Sequence, residues 1–354
     1  MILTFKDRDE IFCDVQYEED YQFSISSYDC DDKVICECPL KLIKEFDPSL
    51  YDLYLLENRT KGISENSIYP VYMDDVRVGM IFPVQSLLSI EHDHAEDPYY
   101  LKYAYVAMWK LLQQIEEKNK HDFTGEIYLD DYYDPEQQIL VIDQENASHI
   151  SGFNIKNYTV SLFEKGYTYT GQGNVYTAFE EIERNLRLKS IPCKLSEIVY
   201  IDFMFRSQIP QEMEPFAKFH LLYQIVEILI NVVFDDKFKA LMDSIDLSSE
   251  NLFEKKDDLN ELVNEKKRVS WLFNNYASIP SDKQGILDAA CIELLKKHQC
   301  KTQKALSDNL YAVRCLIVHK YYSLNYDEHK DILSELNNAF LDVLISIIQT
   351  FKVN

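Results

Sequence analysis

Apolar and polar residues alternate along the first part of the chain. Ile11–Tyr17 (IFCDVQY), Tyr21–Tyr28 (YQFSISSY) and Lys33–Leu40 (KVICECPL) each repeat with a period of two, the spacing of a strand with one buried face. Glu18-Glu19-Asp20 and Asp29 to Asp32 separate them as short polar connections. Val78–Pro83 predicts a further strand. From Tyr99 to Lys118 the period changes, with Tyr103, Val106, Trp109, Leu112 and Ile115 recurring at helical spacing. Strands are expected again at Gly125–Asp131 and Gln137–Asp143, joined by a turn at Asp134-Pro135-Glu136. Asn157–Gly173 predicts more strand and a glycine-bearing loop, and Thr177–Leu188 a helix. Residues 1–209 are therefore expected to form an α+β, strand-rich domain.

Beyond SQIPQEMEPF the strand signals fade. Pro210 and Pro215 bracket two glutamates, as in a linker entering a helix N-terminus. Helices are expected near Phe216–Ser244, Ser249–Asn274, Lys283–His298, Lys301–Leu324 and Glu328–Phe351, with Ser281 and Asp282 as natural caps of the third. Short connections between helices of this length favour an antiparallel bundle over residues 210–354. The fold class expected for the whole chain is α+β, a β-rich domain followed by an all-α one.

The helix FAKFHLLYQIVEILINVVF is apolar nearly all round, which predicts burial. Its polar exceptions, His220, Gln224, Glu227 and Asn231, fall within an arc of about 60°. A polar stripe on a buried helix needs partners. The bland alternative is a stripe that faces solvent.

Composition narrows the classes. No run approaches the roughly 18 apolar residues of a membrane span, and MILTFKDRDE carries charge where a signal peptide needs an apolar core. A cytoplasmic protein without membrane association is the expectation. Of the net charge of -24, residues from Ile201 onward (18 Lys and Arg against 23 Asp and Glu) account for -5, which leaves -19 on the first 200 residues. That half is a poor surface for phosphate backbones.

Several constellations read as structural. Cys36 and Cys38 alternate along a strand and make no zinc pair. Glu91-His92-Asp93-His94 reads as a solvated loop, Asp130, Asp131, Asp134 and Glu136 as an exposed turn. Gly171-Gln172-Gly173 lacks the third glycine and the lysine of a phosphate cradle. No metal site and no cofactor are expected.

The segment Asn309-Leu310-Tyr311-Ala312-Val313-Arg314-Cys315-Leu316-Ile317-Val318-His319-Lys320-Tyr321 stands apart. Leu306, Leu310, Val313 and Ile317 give it a core stripe, and Arg314 and His319 lie five residues apart on the penultimate expected helix. From about Pro215 to Phe351 the chain resembles the HEPN family, whose Arg-x(4–6)-His motif sits on a late helix of a small bundle. Tyr321 fits the Arg-x4-His-x-Tyr variant of HEPN toxins. Where the family often has Asn, Asp or His after the arginine, this chain has Cys315, a weak hydrogen-bond partner.

The resemblance implies a metal-independent endoribonuclease, with Arg314 and His319 catalytic and Glu227 in contact with Arg314. It further implies a homodimer, RNA as substrate, and a toxin or antiviral defence role. The β-rich domain would meet a trigger or regulatory protein. Lys296, Lys297, Lys301, Lys304 and Lys320 are candidates to guide RNA, with a solvated surface as the alternative. Two other readings stay open: a non-catalytic HEPN interaction module, and a toxin silenced by nucleotidyl transfer onto Tyr321.

Overall fold

In the computed structural model, the residues described are 2–3, 11–18, 22–27, 33–59, 63–115, 126–169, 184–244, 252–320 and 326–352. The chain is α+β, a strand-rich part followed by a helical part. It divides into two compact units, one running to Lys189 and one from Ser190 onward. The helical turns at Val199–Gln211 belong to the second unit, so the division falls before the Pro210–Pro215 segment.

The first unit holds two sheets. Strands β1 (Ile2–Leu3), β2 (Ile11–Glu18), β3 (Gln22–Ser27) and β4 (Lys33–Glu37) pair antiparallel in that order. The larger sheet is built from β5 (Tyr51–Asn58), β6 (Tyr69–Met73), β7 (Val76–Pro83), β8 (Gln138–Asp143), β9 (Tyr167–Thr168) and β10 (Leu186–Leu188). Its order is β10-β6-β7-β8-β5-β9, antiparallel except between β10 and β6. Helix α1 (Pro98–Gln114) packs on both sheets, and its Trp109 indole N–H donates to the Val15 carbonyl at 3.1 Å. Asp97 starts the helix by accepting from the Tyr99 N–H, with Pro98 in the first turn.

Every residue of β8 is buried, and its side chains alternate between two cores. Ile139 and Val141 join the core around α1, whereas Leu140 and Ile142 join the core on the opposite face with Tyr158 and Leu162. A strand covered on both faces needs a continuous apolar run, which Ile139–Ile142 supplies between the buried polar ends Gln138 and Asp143. Gly79 on β7 sits opposite Ile142, so close that a Cβ there would lie 1.9 Å from the Val141 carbonyl oxygen. Glycine is required by that approach.

Four expectations are corrected in this unit. Gly125–Asp131 is not a strand over its described residues. Glu126 makes one parallel bridge to Ile35, and Leu129–Asp131 then forms a 3-10 turn with Leu129 buried. Within Asn157–Gly173, Thr159–Glu164 is a helix, α2, with Thr159 through Phe163 all buried. Gly166 follows it at φ +88, where its N–H returns to the Phe163 carbonyl. Tyr167 and Thr168 alone are strand, and residues 170–173 lie outside those described. Leu186–Leu188 is a strand and not a helix end, because it pairs in parallel with β6; residues 177–183 lie outside those described.

His92 is the fourth. It is buried, its Nε2 is 3.0 Å from the Ser86 carbonyl oxygen, and its Nδ1 accepts from the His94 N–H at 3.2 Å. Tyr100, also buried, packs edge-on to the ring and donates to the same carbonyl. The histidine pins the 84–97 segment to α1 instead of lying in solvent. Cys36 and Cys38 are buried on one face as expected, and burial pushes both thiols up to about 12.

The second unit is helical: α3 (Val199–Phe203), α4 (Pro215–Asp243), α5 (Leu252–Val263), α6 (Glu265–Trp271), α7 (Ser281–Lys297), α8 (Leu306–Lys320) and α9 (Tyr326–Thr350). Glu214 caps α4 by accepting from the Ala217 N–H, and α9 packs on α4 and α7. Asn337 of α9 donates to the Pro215 carbonyl at 2.7 Å. The single helix expected over Ser249–Asn274 is two. Asn264 accepts from the Lys267 N–H and starts a new helix at Glu265. Helix α4 alone, among the described residues, is long and apolar enough to cross a membrane, and 56% of its apolar window is buried inside the unit.

Two outcomes follow. Gly79→Ala should lower unfolding free energy by about 1–3 kcal/mol, because the backbones of β7 and β8 must separate; denaturant melts check this, and an unchanged midpoint would contradict the close approach. His92 is held neutral, burial lowering its pKa first and foremost. The unfolded chain therefore binds a proton that the folded chain refuses, and stability falls as pH drops below about 6.5. Thermal midpoints between pH 7.5 and 5.5 should fall less steeply for His92→Gln than for the unsubstituted chain. Equal slopes would assign the dependence elsewhere.

Candidate functional site

Helix α8 carries both motif residues. Leu310, Val313, Leu316 and Ile317 are buried against the rest of the unit, with Leu306 half-buried at the helix start. Asn309, fully buried, fixes the preceding loop: its Oδ1 accepts from the Gln303 N–H at 2.7 Å and its Nδ2 donates to Asp288 at 2.8 Å. That arrangement sets how α8 leaves the loop. Arg314, next to buried Val313, is turned toward α4 and α6.

The guanidinium meets three side chains. Its Nη2 is 3.6 Å from Glu227 Oε1 on α4, and its Nε is 3.8 Å from Glu265 Oε1 on α6. Its carbon lies 5.7 Å from the centre of the Tyr223 ring on α4. The Tyr223 hydroxyl donates to Glu265 Oε1 at 3.3 Å. Both carboxylate separations are ion pairs without hydrogen-bond geometry, and the buried Nε–H has no acceptor. Burial works against the Arg314 charge, while Glu265, then Tyr223, Cys315 and Glu227 outweigh it, so its pKa stands above the usual value. Burial, and then Glu265, pushes the Tyr223 phenol up.

Exposure ranks the two carboxylates. The Glu227 side chain is 45% exposed and that of Glu265 26%. The outer pair is screened by water and is worth about 0–1 kcal/mol. Glu227 is thus in contact with Arg314, but the fully buried carboxylate that an all-round apolar helix predicts is not what the structure contains. The polar stripe of α4 reaches the surface and still finds partners. Gln224 accepts from the Tyr200 hydroxyl at 3.0 Å, and Asn231 accepts from Arg268 at 3.1 Å. His220 is exposed.

His319 is exposed on the other side of α8, and no described residue hydrogen-bonds its ring. Five residues amount to roughly 500°, so the two motif side chains diverge by about 140°. The structure brings Arg314 together with Glu227 and does not bring it together with His319. Cys315 is half-buried beside the Tyr311 hydroxyl, one turn earlier on the same helix. Tyr321 and the side chain of Lys320 lie outside the described residues.

Lys296, Lys297, Lys301 and Lys304 are exposed at the end of α7 and in the loop that follows. Lys266 pairs with Asp308 at 3.3 Å and Lys267 with Glu261 at 3.3 Å, so these cations are partly neutralised. Among the described residues no group of three or more His, Cys, Asp or Glu is placed to hold a metal ion.

Two residues of this cluster escape sequence reading. Glu265 lies in the run Glu265-Lys266-Lys267-Arg268, which reads as a surface cluster of cations. Tyr223 is hidden among apolar neighbours, although it precedes Glu227 by four residues and so shares its face. No family model, no curated protein and no solved structure matches this chain.

Proposed function

We propose that the chain is a metal-independent endoribonuclease of the HEPN type, a cytoplasmic toxin or antiviral defence effector that acts as a homodimer. The observation that carries this reading is the pairing on one late helix of an anchored guanidinium, Arg314, with an exposed imidazole, His319. In the reaction the RNA 2′-hydroxyl attacks the adjacent phosphorus, and the bond to the 5′-oxygen breaks. The products are a cyclic phosphate and a 5′-hydroxyl end. His319 carries the proton between the two oxygens, and Arg314 offsets the charge that develops on the phosphoryl oxygens. Because the two side chains diverge on α8, a second copy of α8 about a two-fold axis would complete the groove. The acidic first unit would restrain the nuclease or meet its trigger.

One observation favours a second reading. Two carboxylates already flank Arg314, which suits a structural ion pair in a non-catalytic interaction module.

Incubation with single-stranded RNA in EDTA should yield fragments with 5′-hydroxyl ends. His319→Ala should slow cleavage by about 10²–10⁴-fold, and Arg314→Ala by about 10²–10³-fold. Cleavage that vanishes in EDTA and returns with magnesium would sink the mechanism. Absence of cleavage with every candidate trigger, together with a lowered melting temperature for Arg314→Ala, would establish the second reading. Sedimentation should show a species near twice the 41.7 kDa chain mass; a strictly monomeric chain with full activity would defeat the two-fold argument.

A further inference from the structure

Arg314 is gripped unequally. On its Nε edge lies Glu265, the less exposed carboxylate, which is itself held by the Tyr223 hydroxyl at 3.3 Å. The Tyr223 ring lies 5.7 Å from the guanidinium carbon, and Tyr223 is a buried residue. On the Nη edge lies Glu227, nearly half exposed and without a described hydrogen bond to hold its carboxylate. A phosphate approaching from solvent reaches the Nη edge, where it exchanges with a half-exposed carboxylate. It does not reach the Nε edge without breaking into the packing of α4 and α6.

We propose that Glu265 and Tyr223 are positioning residues for Arg314: the Glu265 charge 3.8 Å from Nε and the Tyr223 ring beside the guanidinium orient it and leave its Nη edge to an RNA phosphate. This rests on the nuclease reading above. Glu265 is the first residue of α6, whose start is fixed by the Asn264 cap, so the carboxylate sits on a rigid turn. Tyr223 lies two turns into the longest helix of the unit, with its aromatic ring stacked on Phe219. A bidentate grip on phosphate requires the guanidinium plane to be fixed, because a small tilt removes one of its two bonds.

The test uses the full chain, with two readouts. The first is the Nε–H nuclear magnetic resonance signal of Arg314, identified by its loss in Arg314→Lys. It should shift and exchange faster with water in Glu265→Gln and in Tyr223→Phe, and change little in Glu227→Gln. The second is cleavage of single-stranded RNA. Glu265→Gln should lower kcat by about ten- to a hundredfold, with KM within about twofold of the unsubstituted chain, and Glu265→Asp should recover part of the loss. Should Glu265→Gln fail to fold, Tyr223→Phe, which removes one oxygen atom, carries both readouts. An Arg314 signal unmoved in Glu265→Gln and Tyr223→Phe overturns the assignment. Full cleavage by Glu265→Gln alongside loss in Arg314→Ala also overturns it and leaves the nuclease reading standing. Full cleavage by Arg314→Ala overturns the nuclease reading, and with it any catalytic purpose for this support.

Discussion

An arginine packed against two neighbouring helices cannot shed its charge, and that constraint organises the helical unit. Partial burial of the guanidinium is unfavourable unless carboxylates accompany it. The chain meets the requirement from two sides, with Glu227 on α4 and Glu265 on α6, and fills the space between with the ring of Tyr223. Glu227 from the polar stripe of α4, Glu265 just after the helix break at Asn264 and the half-buried face of α8 meet at this one charge. The two ion pairs add little to stability singly. Their effect is geometric, since they fix where a permanent positive charge meets the solvent.

The same helix imposes a second limit. A residue five positions beyond Arg314 leaves α8 on a different face, and His319 is accordingly exposed and apart from the ion-pair cluster. Within one chain the two groups address different volumes of space. Any chemistry that needs both must bring another surface to the helix, which makes assembly part of the reading and not an addition to it.

How much of this was legible depended on whether a signal was periodic. The strands at Ile11–Glu18, Gln22–Ser27 and Lys33–Glu37 and helices α1 and α9 carry periods of two or 3.6 over many residues, while Gln138–Asp143 and α4 stand out as unbroken apolar runs. The failures are short and set by packing. Thr159–Glu164 is rich in β-branched and aromatic residues yet is helical, a case of tertiary packing overriding a weak local preference. Leu186–Leu188 is too short to show a period, and the strand exists because β6 offers an edge to pair with. His92 looked like one charge among several in a polar loop, and only tertiary contact turns it into an anchor. In the candidate site, Arg314, His319 and Glu227 stood out by spacing, whereas Glu265 was masked by three adjacent cations and Tyr223 by its apolar neighbours.

The Asn264 cap has a consequence for how this chain can vary in length. It resets the helical phase between α5 and α6, so that the residue directly after it begins a new turn. Each residue added between the cap and Glu265 would rotate Glu265 by about 100° around the axis of α6, away from Arg314. Surface segments of helical proteins ordinarily absorb insertions with little effect. Here a partly exposed stretch of charged residues is held to a fixed count by a contact made on its inner side.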